Sequence, residues 1–230
     1  MSSTESKIEA ALSADDLPER IAAALGAGRR GGAARVRMSP ELSYGRHAGP
    51  APHTARRAAV MLLLFRRDHP AGGARRWHLP LTERPATLTR HGGQVSLPGG
   101  SVEPGESSRE AALRELSEEL GIDGGVEILG RLADCYVFAS DFLVTPWVSV
   151  ASCDPEWKPH DREVQGVVEL PLDVLVDGRC FGRMTIERGP LKFHAPCIRM
   201  GQTCVWGATS VILGELGQLL QESGTANERR

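Results

Sequence analysis

Ala58 to Phe65 is an unbroken apolar run of eight residues, bracketed by Arg56-Arg57 and Arg66-Arg67, and it predicts a buried strand. A Gly/Pro turn from Pro70 to Gly73 separates it from a second strand, RWHLPLTER. The period then changes. Ala112, Leu113, Leu116 and Leu120 recur at helical spacing, with Ser107 and Glu110 three residues apart as a capping box and Gly121 as the stop signal. Two apolar runs follow, Val126 to Leu132 and Cys135 to Val150; Ser140-Asp141 and Pro146 interrupt the second, which reads as two strands or a bent one. Glu163 to Leu170 is a further strand candidate, and Pro171 to Val176 a short helical turn. After the stretch Leu191 to His194, Ala208, Ile212, Leu216 and Leu219 mark a closing helix over Trp206 to Gln221, despite Gly214 and Gly217. Upstream, residues 1–27 read as helical in two pieces, with Asp15 or Asp16 capping DLPERIAAALGAG. Strands interleaved with two long helices predict a layered α/β protein, a mixed sheet with a helix on each face.

Composition adds boundaries to this picture. From Gly28 to about Arg56 the chain is rich in Gly, Ala, Arg, Pro and His without a period, so the expected division is an N-terminal helical and irregular extension (1–56), one domain (57–222) and a mobile tail (223–230). Gly26, Gly28 and Gly31 fit G-x-G-x-x-G, but no strand precedes them, no helix follows, and no acid lies at the distance a dinucleotide site needs. A 41% apolar content supports a real core, and a formal net charge of −2 gives no electrostatic footprint for nucleic acid or an anionic membrane. The longest apolar run, eight residues, is far short of the ~20 of a membrane span. Five scattered cysteines with no C-x-x-C pair read as reduced thiols. Together with the acidic N-terminus (Glu5, Glu9, Asp15, Asp16), this makes a cytoplasmic location the expectation. The sequence leaves a homodimer open.

The predicted helix 107–121 carries the chemistry. Glu115, Glu118 and Glu119 fall on one side of it, at spacings where like charges repel unless a positive group sits among them. Carboxylate oxygens suit hard cations such as Mg²⁺ or Mn²⁺. An acidic helix face seen alone is usually only a solvated face, but this one lies in a longer pattern. Residues 100–122, GSVEPGESSREAALRELSEELGI, fit G-x5-E-x7-R-E-U-x-E-E-x-G-U (U apolar) at Gly100, Glu106, Arg114, Glu115, Leu116, Glu118, Glu119, Gly121 and Ile122. The segment resembles the Nudix box at every fixed position.

That resemblance implies the Nudix fold, an α/β/α sandwich, and metal-dependent hydrolysis of a nucleoside diphosphate linked to another moiety. It implies Glu115 and Glu119 as direct metal ligands, with Glu118 and the Gly100 carbonyl joining them. Arg114, expected off the acidic face, would pair with Glu106 to hold the loop against the helix, or instead make an i, i+4 pair with Glu118. Nudix enzymes often take their general base from a loop beyond the box; Glu163 is the candidate here and Glu169 the reserve. Just upstream, LTERPATLTRHGGQVSLPGG resembles the motif of coenzyme A diphosphatases, approximately L-T-x-R-[SA]-x3-R-x3-G-x3-F-P-G-G. Leu81, Thr82, Arg84, Gly93, Pro98, Gly99 and Gly100 match; Pro85, Thr89 and Leu97 depart, with Arg90 one place from the missing arginine. EVQGVVELPLDVL and WGATSVILGEL resemble further segments of those enzymes. The resemblance thus implies cleavage of CoA or acyl-CoA to 3',5'-ADP and 4'-phosphopantetheine, with Arg84, Arg90 and His91 on the substrate. His91 reads equally as an ordinary loop histidine. ADP-ribose, NADH or a nucleotide sugar are the alternative substrates, and a non-catalytic nucleotide sensor the alternative class.

Overall fold

The computed structural model describes residues 10–28, 37–39, 50–68, 74–85, 93–160, 163–188 and 191–225. In chain order the main elements are α1 (Leu17–Gly26), β1 (Arg56–Arg67), β2 (Arg76–Glu83), β3 (Val95–Ser96), β4 (Gly99–Ser101), α2 (Ser108–Leu120), β5 (Val126–Arg131), β6 (Cys135–Val137), β7 (Phe142–Ala151), β8 (Gly166–Pro171), β9 (Phe181–Arg188), β10 (Leu191–Met200), β11 (Thr203–Trp206) and α3 (Ala208–Thr225). Two 3₁₀ turns, Leu172–Leu175 and Gly178–Cys180, link β8 to β9.

The apolar run in β1 explains the layering. Its side chains alternate between two cores: Ala58, Leu62 and Leu64 face one that includes Leu17 and Ile21 of α1 and Ile212 and Leu216 of α3. Ala59, Met61 and Leu63 face the other, built with Ala111, Ala112, Leu116 and Leu120 of α2. A strand covered on both sides needs no polar alternation. The sheet is mixed, as expected: β1 runs parallel to β7 and antiparallel to β2 and β4. β8 pairs with β2 through six residues, His78↔Pro171 to Glu83↔Gly166.

Four details differ from the sequence reading. The 135–150 run divides at Ser140-Asp141, whereas Pro146 lies inside β7 between its pairings with β5 (Arg131↔Trp147) and β6 (Cys135↔Val144). In that gap a missing N–H costs no ladder bond. β9, β10 and β11 form a separate three-stranded antiparallel sheet, of which the sequence offered only Leu191 to His194. In that sheet Cys197 and Cys204 form a disulfide rather than reduced thiols, because β10 and β11 bring them to Cα atoms 5.9 Å apart. Asp16 is the N-cap residue of α1 but makes no capping hydrogen bond; it pairs instead with Arg20. The Gly/Pro turn at 70–73 lies outside the described residues, as do 226–230 of the tail. Gly217 is tolerated within α3 because an added Cβ would meet the Leu175 carbonyl oxygen at 2.5 Å, so the bare backbone lets the 3₁₀ turn pack closely.

Candidate active site

Both ends of α2 form as the residues dictate. The Ser107 hydroxyl accepts from the Glu110 N–H at 3.3 Å and the Glu110 carboxylate accepts from the Ser107 N–H at 2.8 Å, which closes the capping box. Gly121 ends the helix in the left-handed region at φ 70°, and its N–H donates to the Ser117 carbonyl. The apolar stripe of α2 then seats against β1, which turns its acidic side toward β4.

Arg114 ties the loop to this helix. Its guanidinium donates to both Glu106 carboxylate oxygens at 2.9 and 3.2 Å, and to the Ser101 carbonyl at 3.0 Å. It also reaches the acidic face: Nη1 donates to Glu115 Oε1 and to Glu118 Oε2, each at 2.9 Å. The expectation that Arg114 lies off that face is therefore corrected. One planar fork is long enough to serve the loop and both neighbours on the helix, and its charge relieves part of their mutual repulsion. The Arg114 hydrogen bonds, with the Glu103 N–H, hold the Glu106 carboxyl below its ordinary range.

Glu119 has a different environment. It is 5% exposed, so it does not lie on a solvated face. Its Oε2 accepts the Gly99 N–H at 3.2 Å, and among the described residues it has no ion pair. Burial pushes its carboxyl up to about 7, against the Gly99 hydrogen bond and the charge of Arg84; Glu115 and Glu163 add to the rise. Burial likewise raises Glu115, more than Arg114 lowers it, with Glu118 and Glu163 contributing. The β4 backbone presses against these groups: a Cβ built on Gly100 would lie 2.2 Å from Glu115 Oε1. Any larger residue there would push the Glu115 carboxylate out of its place.

A segment beyond β7 completes the cluster. The Lys158 N–H donates to the Leu120 carbonyl at 3.0 Å and the His160 N–H to the Glu119 carbonyl at 3.3 Å. The His160 carbonyl in turn accepts the Glu163 and Val164 N–H groups, each at 2.9 Å. A Cβ on Gly121 would sit 2.7 Å from Lys158 Cβ, so glycine is required for this approach as well as for the turn. These bonds carry Glu163, an exposed residue in the turn before β8, into the field of Glu115 and Glu119.

Residues 55–182 match the NUDIX domain family, a span that holds β1, the loop and the whole of α2. The chain belongs to the Nudix family. An uncharacterised Nudix hydrolase, NudL, from Yersinia pestis is 32% identical over 167 residues, covering 72% of this chain and 80% of that protein. The NudL of Yersinia pseudotuberculosis matches over the same extent. Among solved structures, the Nudix hydrolase RenU from M. smegmatis is 23% identical and covers 54% of this chain and 74% of its own, with a TM-score of 0.42. The protein is thus a Nudix hydrolase acting on the diphosphate bond of a nucleoside diphosphate derivative, in a family that generally uses Mg²⁺ or Mn²⁺.

In this Nudix hydrolase the donor set suits such an ion. Glu119 is a buried carboxylate with no ion pair among the described residues, Glu115 is 14% exposed beside it, and the Gly99–Gly100 backbone crowds both. All are hard oxygen donors. The carboxylates do not yet share one point: among the described residues no three Asp, Glu, His or Cys side chains form a ready cation site. Glu115 and Glu118 turn to Arg114, while Glu119 turns to Gly99. Arg84, just past the end of β2, acts electrostatically on Glu119 and has a buried Nε without a hydrogen-bond partner among the described residues. Arg90 and His91 lie outside the described residues. Glu169, the reserve base, is bound elsewhere, to Arg67 and the Trp157 indole. Sequence reasoning missed the 158–160 segment, whose bonds to α2 are made by backbone groups that leave no side-chain signature.

Proposed function

We propose that this hydrolase cleaves the diphosphate of CoA or acyl-CoA, giving 3',5'-ADP and 4'-phosphopantetheine or its acylated form. The observation that carries the reading is the placement of Arg84. This residue of the L-T-x-R segment acts on the box glutamate Glu119 through its charge, and its buried Nε, without a hydrogen-bond partner among the described residues, suits a phosphate oxygen.

Glu115 and Glu119 would hold Mg²⁺ or Mn²⁺, joined by Glu118 and the Gly100 carbonyl. When bound, the cation neutralises the diphosphate charge and makes phosphorus easier to attack. Glu115 exchanges its Arg114 hydrogen bond for the site, and Arg114 keeps its two bonds to Glu106 and thus the loop. Glu163 accepts a proton from water as the water oxygen adds to phosphorus; the bridging oxygen leaves with the other phosphate.

Turnover on CoA, dephospho-CoA and ADP-ribose, with the products identified by mass spectrometry, tests this directly. Faster turnover of CoA than of dephospho-CoA, yielding 3',5'-ADP, is the expected result. Equal rates with and without the 3'-phosphate, or a preference for ADP-ribose, overturn the CoA assignment and leave a Nudix hydrolase of other specificity.

A further inference from the structure

Trp157, Glu169 and Arg67 form a connected cluster in which the Trp157 ring packs on the core beneath α2 while its indole N–H turns away to the sheet. The Trp157 indole donates to Glu169 Oε1 at 2.7 Å, and Arg67 grips the same carboxylate through Nε and Nη2 at 2.8–3.2 Å. Arg67 Nη2 also donates to the Pro155 carbonyl at 2.8 Å. Phe65 meets the Trp157 ring edge-on with centroids 5.0 Å apart, and the Arg67 guanidinium lies over the Phe65 ring at 5.0 Å. Three rigid strand positions, Phe65 and Arg67 on β1 and Glu169 on β8, thereby fix two points of the irregular segment that follows β7.

That segment leads straight to the site. One residue beyond Trp157, Lys158 begins the backbone bonds to Leu120 and Glu119, and His160 then holds the turn carrying Glu163. An irregular segment with so few ladder bonds pays conformational entropy for its position, so an anchor on the sheet has a definite task.

We propose that Trp157, Glu169 and Arg67 are positioning residues, a clamp that holds residues 157–160 on the end of α2 and, through the His160 carbonyl, sets Glu163 in reach of Glu115 and Glu119. The catalytic half of this statement rests on the reading of Glu163 as general base; the clamp itself does not.

Trp157→Phe keeps an aromatic ring on the Phe65 side and removes the N–H donor to Glu169 together with part of the indole's packing volume. Two readouts on the full-length protein separate the two halves. Hydrogen exchange, read at the Lys158 and His160 amides, is expected to speed up at least tenfold in W157F while the Gly121 amide stays protected; unchanged exchange overturns the clamp. Steady-state kinetics with CoA and, in parallel, ADP-ribose at saturating Mg²⁺ are expected to show kcat about tenfold lower with KM within twofold. In an E163Q background W157F is expected to add no further loss. An equal further loss in E163Q overturns action through Glu163. Wild-type kcat in E163Q, with faster amide exchange in W157F, rejects Glu163 as base and supports the clamp as the holder of the segment alone.

Discussion

Glu119 pairs a buried carboxylate with a backbone N–H where a surface position would offer water, and this makes its protonation a property of the fold. Its carboxyl is raised to about 7 from an ordinary 4.5. A raised folded-state pKa favours folding fully below the unfolded value, and the benefit is lost as pH rises through the folded value. Without divalent ions, Glu119→Gln is therefore expected to be more stable than wild type by about 1–3 kcal/mol at pH 8, and level with it at pH 4. Mg²⁺ should reverse the order at pH 8, because it binds the native wild type and not the unfolded chain. Thermal melts at both pH values, with and without Mg²⁺, measure this. Gly100 makes the complementary case: Gly100→Ala drives a methyl into Glu115 Oε1, so a folded protein with at least tenfold weaker Mn²⁺ binding by calorimetry is expected. The residue types of the site were legible because the box fixes them by spacing. The burial of Glu119 was not, since periodicity places it on the acidic side, and its contacts with β4 and the 158–160 segment come from elsewhere in the chain.

At the scale of elements, α2 was readable at both ends because its signals are local: a Ser/Glu capping box and a left-handed glycine. Ser107→Ala removes the bond to the Glu110 N–H, at an expected cost of about 0.5–2 kcal/mol seen in chemical denaturation. Gly121→Ala should cost more than that. It meets an unfavourable φ and a contact of 2.7 Å with Lys158 at once, and moving Lys158 also disturbs the path to Glu163. The β9–β11 sheet was the largest element missed. Strand β9, FGRMTIER, intersperses charged and small residues with its apolar ones, and its exposed positions dominate the signal. Its identity as a strand comes from pairing with β10, Phe181↔Ile198 to Arg188↔Leu191, a partner no local pattern names. The same pairing logic, between β10 and β11, brings Cys197 to Cys204, so the disulfide could not be read from a spacing of seven residues.

For the whole molecule, the apolar faces of two terminal elements close the side of the sheet opposite α2. Ile21 of α1 is fully buried in the same core as Leu62 of β1 and Ile212 of α3. This helix, outside the NUDIX match at 55–182, belongs to the folded core of the protein. Ile21→Ala is expected to cost about 2–5 kcal/mol in chemical denaturation, and a loss below 0.5 kcal/mol would show α1 to be dispensable. The three-layer arrangement was legible because β1 is apolar throughout and two amphipathic helices flank it. No helix among the described residues is long and apolar enough to cross a membrane. What the layers accomplish is to hold the Gly99–Gly100 backbone, Glu115 and Glu119 of α2, and the segment leading to Glu163 at one end of α2. The most direct test of this arrangement is diphosphate hydrolysis by wild type and E119Q across a Mg²⁺ titration, with CoA and ADP-ribose as substrates. Saturable Mg²⁺-dependent turnover by the wild type and a loss of at least a hundredfold in a folded E119Q is the predicted result. Turnover independent of Mg²⁺, or unchanged in E119Q, contradicts the account.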